Sequence, residues 1–134
     1  MAKYLYPAIF TLESKGNYTV NFIDIQGCYT QGDNLQDAYD MAEDVLCLRL
    51  YDMEESNEPI PSPSNPADIV VEKGSFVALV NVDTLEYRKL YDNKAVKKTL
   101  TIPSWLNAQA EKAGINFSQV LQTALKDQLN IADN

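Results

Sequence analysis

Apolar and polar residues alternate with a period of two over positions 18–23, and positions 4–12 are rich in the β-formers Tyr, Ile, Phe and Thr, so both stretches read as strands. Ser14, Lys15, Gly16 and Asn17 supply a turn between them, so the pair reads as a hairpin. Residues 26–33 carry two glycines and read as a turn segment leading into a helix, with Asn34 as N-cap and Asp37 three residues further on. Over 35–53 the period lengthens. Leu35, Ala38, Tyr39, Ala42, Val45, Leu46, Leu50 and Met53 recur in steps of three and four, while Asp37, Asp40, Glu43 and Asp44 occupy positions between them. That pattern predicts a helix with one apolar face. Over 54–68 it breaks down, because four of the six prolines (Pro59, Pro61, Pro63, Pro66) fall there beside Glu54, Glu55 and Glu58. Strand character returns at 69–72 and 75–82 around a Lys73-Gly74 turn, and residues 83–94 fit either a short helix or an irregular piece.

After turn residues at 92–94, alternation resumes over 97–102, placing Leu100 and Ile102 on one face and Lys97, Thr99 and Thr101 on the other. Pro103 then opens a helix whose apolar positions are Trp105, Leu106, Ala110 and Ala113, with Gly114 as the residue that ends it. Asn116 opens a second helix, with Gln119 placed to complete a capping box and Val120, Leu121, Ala124, Leu125 and Leu129 as a broad apolar face. A strand and two short helices, fewer than about 40 residues, cannot enclose a core unaided. Dimerisation of this tail is therefore expected. The predicted class is α+β, with a small sheet and one covering helix over 1–92 and a strand-helix-helix unit over 96–130.

Charge divides along the same boundary. Residues 1–95 hold seven Lys and Arg against sixteen Asp and Glu, a net of −9, whereas residues 96–134 hold four against three, a net of +1. An acidic body repels nucleic acid and attracts basic proteins, while Lys97 and Lys98 still let the near-neutral tail approach phosphate. Two different partners are expected. No apolar run approaches the roughly 18 residues of a membrane span, and the N-terminus lacks a signal-peptide core, so a cytoplasmic chain without membrane association is expected. Cys28 and Cys47 show no metal-ligand spacing and the chain has no histidine, which predicts packing thiols and neither metal nor other cofactor.

The stretch Lys97-Lys98-Thr99-Leu100-Thr101-Ile102-Pro103-Ser104-Trp105-Leu106, with Gly114-Ile115-Asn116-Phe117-Ser118-Gln119-Val120-Leu121 after it, resembles the ribbon-helix-helix DNA-binding family. In that family two protomers pair their strands into a ribbon that enters the major groove. The resemblance implies that Lys97, Thr99 and Thr101 face base edges, and that backbone amides near Asn116, Phe117 and Ser118 hold phosphate.

Upstream, Ile23-Asp24-Ile25-Gln26-Gly27-Cys28-Tyr29-Thr30-Gln31-Gly32-Asp33, the acidic helix and the Glu58-Pro59-Ile60-Pro61-Ser62-Pro63-Ser64 loop are similar to the N-terminal domain of HicB antitoxins. This implies a degenerate ribonuclease-H-like front domain. It also implies an antitoxin that neutralises a small basic HicA-type mRNA-cleaving toxin and represses its own operon at double-stranded operator DNA. The dimer would form through the ribbon, with front domains able to pair further into tetramers. Asp24, Tyr29, Asp33, Asp37 and Asp40 are the candidate toxin contacts. No catalytic residue is expected, because the first two strands offer only Glu13 and Asp24 at their ends and no histidine is present for acid-base work. The competing reading is a ribbon-helix-helix repressor with a ligand-sensing front domain and no toxin partner.

Overall fold

β1 (Lys3–Leu12) is the spine of the first of two units in the computed structural model, which describes residues 2–131. It pairs antiparallel with β2 (Tyr18–Asn21) on one side and with β4 (Ser75–Asp83) on the other. β3 (Tyr29–Gly32) extends the sheet beyond β2, so the order is β3-β2-β1-β4. Strand alternation sends Tyr6, Ala8, Phe10, Val20, Val80 and Val82 to one face, where all are buried. Across that face lies α1 (Leu35–Glu55), which turns Ala38, Ala42, Leu46, Leu50 and Met53 inward. Each large side chain withdrawn from water here contributes about 1.5–3 kcal/mol, enough for this unit to hold a core of its own.

The start of α1 depends on one glycine. A Cβ on Gly32 would stand 2.3 Å from the Ala38 nitrogen, so no side chain fits where β3 crosses the first turn of the helix. Asn34 Oδ1 accepts the Asp37 N–H at 2.9 Å, and Asp37 Oδ2 accepts the Asp33 N–H at 2.9 Å, satisfying amides that the helix itself leaves bare.

The structure corrects the expected strands in two places. Residues 29–32, read as a turn segment, form β3, because β2 offers a free edge and two small inward positions, Thr30 and Gly32, suffice there. Residues 69–72 form no strand. They have no ladder partner, Val70 is 93% exposed, and a 3-10 turn at Pro66–Asp68 precedes them. The open assignment at 83–94 resolves as α2 (Thr84–Tyr91), capped by Asp83 through the Leu85 N–H at 2.9 Å. The proline-rich loop is fastened to the sheet. Asp24 accepts the Ser64 N–H at 3.0 Å and the Ser64 hydroxyl, and the Tyr6 hydroxyl donates to the Pro61 carbonyl.

The chain divides between Lys94 and Ala95. In the second unit α3 (Ser104–Lys112) and α4 (Phe117–Leu129) are joined through Gly114, whose φ of +70° suits glycine. Residues 97–102 form no ladder in the single chain, because a strand needs a hydrogen-bonded neighbour and the only described sheet is that of the front unit. Among the described residues of this unit none is buried. Among the described residues, no helix is long and apolar enough to cross a membrane.

Candidate functional site

In the tail, alternation separates two kinds of surface. Lys98, Leu100 and Ile102 line a groove of about 460 Å³ with Phe117, Val120 and Leu121 of α4, whereas Lys97, Thr99 and Thr101 stay outside it and exposed. The three residues expected to read bases thus share one side of the segment, and the apolar ones share the other. Leu100 (62%), Trp105 (69%) and Leu129 (66%) stay largely open to solvent. Asn116 caps α4 by accepting the Gln119 N–H at 3.1 Å. The N–H groups of Phe117 and Ser118 lie at the end of the helix where no carbonyl of α4 can reach, and the helix dipole favours an anion there. The Phe117 ring belongs to the groove, so a role toward phosphate rests on its backbone amide.

The five expected contact residues of the front unit do not form one cluster. Asp33 and Asp37 share a shallow groove with Gln31 and Met41 at the start of α1, and Asp40 stands one turn on, accepting from Gln36 Nε2 at 3.0 Å. Tyr29, 69% exposed, belongs to the sheet face away from α1. Asp24 is committed to Ser64, and Asp37 to the Asp33 amide. Asp33 and Asp40 are exposed.

A groove that the sequence reading did not assemble lies between α1, α2 and the end of β4. It measures about 800 Å³; Glu43, Asp44, Asp83 and Glu86 line it, Lys3 is its one cation, and Leu48, Tyr87, Leu90 and Tyr91 give it apolar walls. Burial, followed by the neighbouring charges of Asp40 and Asp44, pushes the Glu43 carboxyl above its ordinary range. The helical spacing placed Glu43 and Asp44, but Asp83 and Glu86 could join them only once α2 was known to be a helix.

α2 is held by a polar hub. Glu54 accepts from the Tyr4 hydroxyl at 2.6 Å, from Thr84 Oγ1 at 2.9 Å and from Arg88 Nη2 at 3.0 Å, while Arg88 also pairs with Glu55 and lies 4.6 Å from the centre of the Tyr51 ring. Burial works to raise the Glu54 carboxyl, but the hydrogen bonds from Tyr4, Arg88 and Thr84 outweigh it and hold the group below its ordinary value. Tyr87 continues the contact, with ring centres 4.9 Å from Tyr51 and 4.6 Å from Tyr91. Burial pushes the Cys28 thiol up to about 11 against a smaller pull from Arg49, as a packing residue requires. Among the described residues no three His, Cys, Asp or Glu side chains gather as a metal site.

Residues 6–125 match a family described as the HicB-like antitoxin of bacterial toxin-antitoxin systems. The Antitoxin HicB of Escherichia coli (strain K12) is 38% identical over 75 residues, 54% of this chain and 54% of the relative, so the chain spans about half the length of that relative. A chain of a toxin-antitoxin complex from Streptococcus pneumoniae is 31% identical, with a TM-score of 0.59 over 94% of this chain and 99% of that one. The antitoxin HicB of Burkholderia pseudomallei shares the fold, at 21% identity and a TM-score of 0.55 over 94% of this chain and 98% of its own.

Proposed function

Because this chain belongs to the HicB-like antitoxin family, we propose that its front unit neutralises a small basic HicA-type ribonuclease and that its tail represses the operon encoding both. In this reading the front unit is a degenerate ribonuclease-H-like domain without catalysis, and the tail is a ribbon-helix-helix module paired with that of a second copy. The observation that carries the proposal is the absence of any buried side chain among the described residues of the tail. Its apolar groove is half a core, and a two-fold partner supplies the other half. Pairing of residues 97–102 across that axis creates the missing ladder and turns Lys97, Thr99 and Thr101 of both copies outward, in the shape of a ribbon that fits a major groove. Phosphate is then held by the amides of Phe117 and Ser118 beside the Asn116 cap.

The front unit supports the toxin half through its charge. α1 carries seven carboxylates against the single cation Arg49, interleaved with exposed Met41 and Leu48, and a ribonuclease needs a positive surface for its own substrate. Asp33 and Asp40 at one end, and Glu43, Asp44 and Glu86 in the α1–α2 groove, are the contacts we propose; Asp24 and Asp37 act by shaping the loop and the helix start. Substituting Lys97 and Thr99 together by Ala tests the tail. Operator affinity in a gel shift should fall while sedimentation still reports the paired species, and unchanged affinity would refute the DNA half. Asp40→Lys with Asp44→Lys should abolish co-purification with the basic toxin and leave operator binding unchanged; retained toxin binding would refute this assignment.

A further inference from the structure

β4 ends the sheet on one side, and no strand pairs with its outer edge among the described residues. Which main-chain groups face outward there follows from the ladder. The Leu12 N–H meets the Gly74 carbonyl at 2.9 Å and the Thr84 N–H meets the Ala2 carbonyl at 2.8 Å, so at both ends of the β1–β4 pairing it is the even-numbered positions that bond to β1. Antiparallel ladders alternate, and Ser75, Val77, Leu79, Asn81 and Asp83 therefore turn their N–H and carbonyl groups away from β1. Three of these groups find partners off the sheet. The Ser75 N–H donates to the Glu72 carbonyl at 3.0 Å, the Tyr39 hydroxyl donates to the Leu79 carbonyl at 3.4 Å, and the Cys47 thiol approaches the Asp83 carbonyl at 3.9 Å. Between them, both groups of Val77 and Asn81 and the Leu79 N–H bond to no described residue. Proteins ordinarily blunt such an edge with lysine, proline or a bulge. Residues 75–82 carry no charge and no proline, and the register runs unbroken from Ser75 to Asp83.

The acid-walled groove stands beside this edge, with Asn81 and Asp83 of β4 facing Glu43 and Asp44 of α1 and Glu86 of α2. From this we infer that the outer edge of β4 takes up an extended, lysine- or arginine-bearing segment of a protein partner as a fifth strand. Main-chain bonds to residues 77–81 hold the segment, and its alternating side chains set the sequence it accepts. Positions turned toward α1 meet Glu43 and Asp44, and positions turned the other way meet Val77 and Leu79, so basic and apolar residues alternate along it. Charge selects the occupant. A second copy of this chain would bring its own α1 carboxylates to the same edge, and an acidic segment would be repelled by Glu43 and Asp44, whereas a basic one is attracted. The inference deepens the toxin reading of this groove and rests on it for the source of the segment, not for the manner in which the segment is held.

A blocked octapeptide of alternating lysine and valine, titrated into the full chain, tests the edge directly. Hydrogen exchange at the Val77, Leu79 and Asn81 amides should slow on binding, and a counterpart with glutamate in place of lysine should not bind. Methylating every second amide of the peptide in the phase that faces β4 should weaken binding by about tenfold or more, while the opposite phase should leave it unchanged. Equal affinity of the two methylated peptides, or no binding of the unmethylated one, would overturn the inference. Asn81→Pro then separates it from the toxin reading, because this substitution removes an outward N–H and no bond to β1. The basic toxin should bind wild type and lose about tenfold or more in affinity to Asn81→Pro with thermal melting unchanged; if the variant melts early, the methylated peptides decide. Equal toxin binding by wild type and a folded Asn81→Pro would overturn the strand docking and leave the toxin reading standing. A toxin that fails to bind wild type while the peptide still binds would overturn the toxin reading and leave the edge site standing. A sedimenting mass that falls on Asn81→Pro would assign the edge to a second copy and overturn the choice of occupant.

Discussion

Leu46 and Leu50 in the front unit lose all contact with water, whereas Leu100, Trp105 and Leu129 in the tail keep more than half of their surface exposed. Both units carry periodic apolar positions, with a period of two in their extended segments and of three to four in their helices. The difference is what each can bury by itself: about ninety residues close a sheet under a helix, and about forty do not. In the proposed function a self-contained core lets the front unit meet a partner's surface as a finished fold. In the proposed function an open one makes the tail dependent on a second copy, so concentration becomes a variable in what the tail does.

The largest effect that would break this comparison is on the front core. Leu46→Ala should cost about 2–5 kcal/mol, read as a lower denaturation midpoint that does not change with protein concentration. Leu125→Ala, at a half-exposed tail position, should by contrast lower the melting temperature mainly at low concentration; equal behaviour of the two variants would erase the distinction. Gly32→Ala comes next, because its Cβ meets the α1 backbone, and overpacking of this kind should cost about 1–3 kcal/mol in thermal unfolding of the front unit. Removing Lys97 and Thr99 should weaken operator binding by about tenfold or more without altering melting, since a good side-chain contact to a base is worth about 1–3 kcal/mol.

Acid should separate the units more mildly. Glu54 is held below its ordinary value, so the stability it contributes is present above its unfolded value and is lost as pH falls through the lower folded one. Glu43 is raised, so it favours the fold at low pH and its contribution is lost as pH rises through the folded value. Melting of wild type against Glu54→Gln on acidification should show a shallower decline for the variant. No difference would mean that α2 does not depend on its polar hub.

The elements legible in the sequence were those whose side chains decide their own burial. The helix expected over 35–53 is α1 with two further residues, and every residue it buries was on the expected apolar face. The elements missed were decided by neighbours. β3 has no apolar period of its own and exists because β2 has an edge to share, while 69–72 has strand-forming residues but pairs with no strand. The 97–102 segment has the right alternation but pairs with no strand among the described residues, and only in the proposed function does a second chain supply its ladder. The candidate contacts divided in the same way: alternation placed Lys97, Thr99 and Thr101 together, but spacing could not reveal that Asp24 is spent on Ser64, or that Asp83 and Glu86 meet Glu43 and Asp44.

Residues 92–103 carry neither helix nor ladder, are exposed throughout, and include Lys94, Lys97 and Lys98. A trypsin-like protease therefore finds its most open targets at the joint between the two units, within the same few residues that are proposed to read DNA. Occupied operator would shield these peptide bonds, and free protein would lose them first. On the proposed function, a cut there would leave a front unit that still holds a toxin but is parted from the tail that holds a promoter, so the lifetime of repression would be shorter than the lifetime of neutralisation.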